Sequence, residues 1–135
     1  MRSILLIEDD DELREALSSG LRELGYSVVV ASDGEEGLKV LKSGPFDLVV
    51  SDLVMPNMDG TEAIKKMRQK HPNMGIVAIS GGPTLNSPLY LRVAKAMGAD
   101  RTLIKPFTLK GLAAAIEETL SSRAGDVPPA GPPQA

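Results

Sequence analysis

The chain has 135 residues, 42% apolar and 24% charged, enough to bury the core of one ordinary domain. It has no cysteine, which excludes a disulfide framework, a thiolate metal site and a thiol nucleophile; its net charge of -3 lacks the basic footprint of a nucleic-acid binder. Only four apolar residues precede the first acids, too few for a secretory signal, and no run approaches a membrane span, so a cytoplasmic protein making no contact with nucleic acid or membrane is expected.

Ile4-Leu5-Leu6-Ile7 is short, continuous and partly β-branched, which predicts a strand buried on both faces. Leu13, Ala16, Leu17, Leu21 and Leu24 then recur at helical spacing, and Gly25 suits the residue just past the helix end. Val28-Val29-Val30 predicts a second strand. Asp33, with Gly34 and Glu36, reads as the N-cap of the next helix, and Gly44 as its stop. Leu48-Val49-Val50 and Ile76-Val77-Ala78-Ile79 predict the third and fourth strands. Between them His71, the lone histidine, falls in a turn-like Lys70-His71-Pro72-Asn73 and reads as a surface residue with no chemical role. Tyr90, Val93, Ala94 and Met97 predict a helix closed by Gly98. Leu103-Ile104 predicts a fifth strand, and Leu109, Leu112, Ala113, Ile116 and Leu120 a last helix. Strands alternating with helices predict a doubly wound α/β domain of five parallel strands and five helices over residues 1–123. Residues 124–135 (AGDVPPAGPPQA) have little to bury and read as a disordered tail.

In such a sheet, sites form beyond the carboxyl ends of the strands. The residues found there are Glu8, Asp9 and Asp10; Ser51 and Asp52; Ser80, Gly81 and Gly82; and Lys105. An acidic run before a helix is commonly a solvated cap, serine a turn residue and lysine a surface charge. All of these would have to hold at one sheet edge at once. Carboxylates brought together repel, and a hard divalent cation such as Mg²⁺ relieves this and attracts a phosphoryl group. A carboxylate beside the ion can act as nucleophile, with lysine and serine holding phosphate oxygens. The chemistry suggested is phosphoryl transfer onto an aspartate.

The stretches Leu5-Leu6-Ile7-Glu8-Asp9-Asp10, DLVVSDLVMPNMDG from Asp47, Ile79-Ser80-Gly81 and Lys105-Pro106-Phe107 resemble the receiver domain of two-component response regulators, chemotaxis-type single-domain receivers in particular. The resemblance covers nearly all of residues 3–122. It implies a flavodoxin-like fold with strand order 2-1-3-4-5. It implies that Asp52 accepts a phosphoryl group from a histidine kinase or phosphotransfer protein, so that the domain catalyses nothing beyond its own phosphorylation and dephosphorylation. Asp9 would bind Mg²⁺ directly and Glu8 through water, with Asp52 and the Val54 carbonyl completing the set. Ser80 and Lys105 would follow the phosphoryl group, and the Lys105–Pro106 bond would be cis. Met55 to Gly60 would shape the loop beside the acceptor. Output would dock a downstream protein through the fourth helix, fifth strand and fifth helix (Tyr90, Val93, Thr102, Leu109), with a homodimer left open.

Two departures stand out. Thr102 replaces the aromatic residue whose rotamer usually reports phosphorylation. Val54 and Gly82 stand where relatives tune the attacking water, and neither side chain can position one, which implies a long-lived phosphoryl state. A half-life of only seconds in the purified phosphoprotein would contradict that. The loop from Gly81 to Pro88 is long for the family and reads as a lid over the site. Two other classes fit these residues less well. A phosphatase of the haloacid-dehalogenase type needs a second Asp where Val54 stands, and a flavin carrier needs a Ser/Thr/Gly phosphate cradle where Glu8, Asp9 and Asp10 stand.

Overall fold

The five apolar runs form strands β1 (Ser3–Ile7), β2 (Ser27–Ala31), β3 (Leu48–Asp52), β4 (Gly75–Ser80) and β5 (Arg101–Ile104). Helices α1 (Asp11–Glu23), α2 (Gly34–Lys42), α3 (Gly60–Lys70), α4 (Ser87–Met97) and α5 (Leu109–Asp126) alternate with them. The computed structural model describes residues 2–53, 60–81 and 87–126. The strands pair in parallel in the order β2-β1-β3-β4-β5, as the resemblance implied.

Strand side chains alternate between two cores, as the pleat requires. Ile4, Leu6, Leu48, Val50, Val77 and Ile79 meet Leu17 and Leu21 of α1 and Leu112 and Ile116 of α5. Leu5, Ile7, Val49, Ile76 and Ala78 meet Leu41 of α2, Ala63, Ile64 and Met67 of α3, and Ala94 of α4. Both faces of the central strands β1, β3 and β4 are therefore dry, and this explains why those strands read as unbroken apolar runs. At the sheet's edges the apolar runs of β2 and β5 are less covered than their sequence implies, with Val29 and Ile104 exposed. Two helices cover one face and three the other.

Local signals close the elements. Asp10 caps α1 by accepting from the Leu13 N–H at 3.1 Å. Asp33 caps α2 by accepting from the Glu36 N–H at 2.8 Å. Glu36 reaches back one residue further than a capping box would, taking the Ser32 N–H at 2.6 Å and its hydroxyl at 2.9 Å. Gly25 and Gly98 take positive φ (103° and 129°), as expected past a helix end. Gly44 does not, contrary to its reading as a left-handed stop. Ser43 removes the need: its N–H and hydroxyl both donate to the Val40 carbonyl, at 3.0 and 2.7 Å. α5 runs to Asp126, three residues into the segment read as tail, and residues 127–135 lie outside the described residues.

Because β1 connects outward to β2 and the chain then returns to β3 on its other side, strand order reverses between β1 and β3. The carboxyl ends of those two strands border the crevice where such sheets place their sites.

Candidate functional site

Register brings the acids together. Ile7 of β1 pairs with Ser51 of β3, so Glu8 and Asp52 are the next residues along adjacent strands. The Glu8 N–H donates to the Ala31 carbonyl at 3.1 Å, and Arg14 Nη1 donates to the Glu8 carbonyl at 2.9 Å, which fixes the acidic corner. Glu8 and Asp52 are almost fully buried, whereas Asp9 is exposed. One carboxylate oxygen from each of Glu8, Asp9 and Asp52 lies within 4.8 Å of the others. Asp10, read with them at the sequence level, is engaged as the α1 cap.

Lys105 arrives from the end of β5. Its N–H donates to the Ser80 carbonyl at 2.9 Å, and the bond to Pro106 is cis. Its ammonium donates to Asp52 Oδ2 at 2.7 Å and stands 3.2 Å from Glu8 Oε1 as an ion pair without an aligned hydrogen bond. Ser80 is buried at the end of β4, and its hydroxyl has no hydrogen-bond partner among the described residues. The acids, the serine and the lysine named from sequence thus converge on one sheet edge. Val54, Met55, Pro56, Asn57, Met58, Asp59 and Gly82 lie outside the described residues, as does most of the loop read as a lid. Gly60 opens α3.

The electrostatics follow from burial. Removal from water pushes the Glu8 carboxyl from 4.5 up to about 7; the Asp10 N–H, at 3.1 Å from Oε2, opposes this, and the charge on Asp52 adds to it. Burial acts to lower Lys105, but the hydrogen bond and charge of Asp52 outweigh it and raise that ammonium. Two buried carboxylates and an exposed third make an all-oxygen donor set with excess negative charge, which suits a hard divalent cation. In its absence the Lys105 ammonium supplies part of the compensating positive charge. A cation held by these acids would favour ionised Glu8, so metal and proton would compete. A neutral Glu8 favours the metal-free fold at low pH, and that contribution is lost as pH rises through about 7. Mg²⁺ is therefore expected to raise Tm more at pH 8 than at pH 5.5. At about ten times its dissociation constant the gain is about 1.4 kcal/mol, or several degrees. Thermal scans at the two pH values check this, and equal shifts would contradict it.

Comparison with known proteins identifies the family. The model of the response regulator receiver domain matches residues 4–117. The chain belongs to the response regulator receiver domain family. Over 122 residues this receiver is 36% identical to the transcriptional regulatory protein QseB of Haemophilus influenzae, covering 90% of the chain and 54% of the relative. It thus spans about half the length of the transcriptional regulators it matches. Among solved structures, a CheY-like receiver domain protein from Methanospirillum hungatei superposes with a TM-score of 0.85 at 27% identity, over 93% of this chain and 98% of that one. The response regulator TrrA of Thermotoga maritima, solved in complex with Mg²⁺-BeF, gives 0.77 at 31% identity, over 88% and 99%. The receiver's strand order is shared with flavin carriers, so fold order did not decide between those classes; the family match does. No helix among the described residues is long and apolar enough to cross a membrane.

Sequence reasoning missed two residues. Arg14, which ties α1 to the acidic corner through the Glu8 carbonyl, reads as an ordinary exposed helix charge. Arg68 gathers the α3–β4 and α4–β5 turns at the far end of the sheet through backbone carbonyls that include those of His71, Met74 and Gly98.

Proposed function

We propose that Asp52 is the phosphoacceptor, taking a phosphoryl group from the phosphohistidine of a histidine kinase or phosphotransfer protein. The observation that carries this reading is the approach of Glu8, Asp9 and Asp52 within 4.8 Å, with the Lys105 ammonium 2.7 Å from Asp52. A carboxylate oxygen of Asp52 attacks phosphorus, the P–N bond to the donor imidazole breaks, and an acyl phosphate forms on the aspartate. Glu8, Asp9 and Asp52, together with the carbonyl of Val54, would hold Mg²⁺. Bound there, Mg²⁺ would neutralise charge on the phosphoryl oxygens. TrrA, solved with Mg²⁺-BeF, supports that choice of ion. Lys105 already faces Asp52 and would turn its ammonium to a phosphoryl oxygen. The unpartnered Ser80 hydroxyl would donate to another.

On this reading the protein is a signalling domain whose only chemistry is its own phosphorylation and dephosphorylation. Output passes to a downstream protein through α4, β5 and α5, where Val93, Thr102 and Leu109 are half-buried rather than fully packed. Several relatives are transcriptional regulatory proteins, and QseB extends well beyond the matched region, so DNA contact by a larger protein is compatible with this domain's role.

Acetyl phosphate with Mg²⁺ is expected to add one phosphoryl group, read by intact mass. Asp52→Asn, or a chelator with the wild-type protein, is expected to abolish it. Undiminished labelling of Asp52→Asn would overturn the assignment. Continuous release of phosphate from esters would favour a phosphatase instead.

A further inference from the structure

A second concavity lies away from the acids, between α2 and α3. It encloses about 470 Å³, within the usual range of ligand sites. Lys39 and Lys42 of α2 and Lys66 and Lys70 of α3 line it, together with Leu38 and Leu41. Leu41 is buried and Leu38 partly so, while all four lysines are exposed. Glu35 is the only acid in the lining, in a chain whose net charge is -3. The positive charge is therefore concentrated here against the overall balance.

The bland account is the helix dipole, which favours cations in a last turn. It covers Lys39, Lys42 and Lys70 but not Lys66, four residues from the end of α3. Helical pairing could also have neutralised the group. Glu35 and Lys39, and Glu62 and Lys66, are spaced i,i+4, as stabilising pairs are. Yet none of the four lysines makes an ion pair among the described residues. The charges face solvent around an apolar strip.

We propose that the α2–α3 groove docks an acidic, amphipathic peptide segment of a partner protein. α2 and α3 follow β2 and β3 and pack on the same face of the sheet. Eleven residues of α3 span about 16 Å, room for roughly three turns of a helix. Such a segment would set leucine-like side chains on the half-buried Leu38, with Leu41 beneath it as the floor of the groove, and carboxylates against the lysines on either side. A nucleotide fits less well, because His71 is the one ring in the lining and no Phe, Tyr or Trp joins it to sandwich a base. The surface is separate from the Asp52 site and uses none of its residues.

The test uses a fluorescein-labelled 14-residue peptide of Glu and Leu, with Leu at i, i+3 and i+4, titrated by anisotropy. Saturable binding is expected, weakened about tenfold by Lys42→Glu or Lys66→Glu. Lys110→Glu, an equal charge change on an exposed residue of α5, is expected to leave it within about twofold. A peptide with Ser for Leu is expected not to bind. No saturable binding, equal weakening by Lys110→Glu, equal binding of the Ser peptide, or binding of ATP without the Leu peptide would each overturn the proposal. Acetyl phosphate labelling of each variant reports on folding independently.

Discussion

Lys105→Met is expected to slow acetyl phosphate labelling by at least tenfold and to destabilise the metal-free protein in a pH-dependent way. The ammonium stands 2.7 Å from Asp52 and 3.2 Å from Glu8, both almost wholly buried, while about a quarter of its own side chain is exposed. Removing one member of a buried ionic group typically costs about 3–5 kcal/mol. Partial exposure reduces this to about 2 kcal/mol at pH 8. Without the lysine, Glu8 rises further above about 7 and takes up a proton more readily. A carboxyl with a raised folded-state pKa favours the fold at low pH, and that contribution disappears as pH climbs through the folded value. The cost of the substitution is therefore expected to shrink at pH 5.5. Urea denaturation at pH 5.5 and 8 measures both values. A cost that is larger at pH 5.5 would contradict the electrostatic account.

Arg68→Met is expected to destabilise the protein by about 3 kcal/mol while leaving Asp52 labelling unchanged wherever the protein is folded. Arg68 Nη1 donates to the carbonyls of His71, Pro72 and Met74 at 3.2, 3.0 and 2.6 Å. Nε and Nη2 donate to the Gly98 carbonyl at 3.1 and 2.9 Å, and Nη2 pairs with Asp100 at 2.9 Å. Asp100 in turn accepts from the Ile76 N–H at 2.8 Å. One guanidinium thus holds the α3–β4 turn to the α4–β5 turn, at the end of β4 opposite Ser80. The close packing there also explains Gly98: a Cβ would lie 2.8 Å from the Arg68 side chain, at a φ of +129° that other residues resist. Arg68→Lys is expected to recover little, since a single ammonium cannot span five acceptors arranged as a fork. A Tm drop of about 10 °C with intact phosphorylation is the predicted pattern. A loss of labelling at temperatures where the protein stays folded would place Arg68 in the phosphoryl chemistry instead.

These two residues differ in how far their roles could be read beforehand. Lys105 sits in Lys105-Pro106-Phe107 after a short apolar strand, and its place at a strand end is what made it a candidate. Arg68 sits near the end of α3, where a cation is expected for the helix dipole alone, and its acceptors are backbone carbonyls that no residue identity advertises. Arg14 was hidden for the same reason, because its partner is the Glu8 carbonyl. Gly44 is not needed as a left-handed stop, because a serine one residue earlier satisfies the helix end by itself, a contact that the glycine's identity does not reveal.

The order of strands and helices along the chain, the two dry faces of the central strands and the acids, serine and lysine at the strand ends were all determined by the sequence. Apolar periodicity and capping residues act over a few neighbours and so leave a local trace. Tertiary structure alone decided that the Lys105 ammonium lies between Asp52 and Glu8, that burial lifts Glu8 to about 7, and that lysines from two helices gather around one groove. Those features depend on distances and on exclusion of water across residues remote in the chain, and these arise only when the strands pair and the helices close over them.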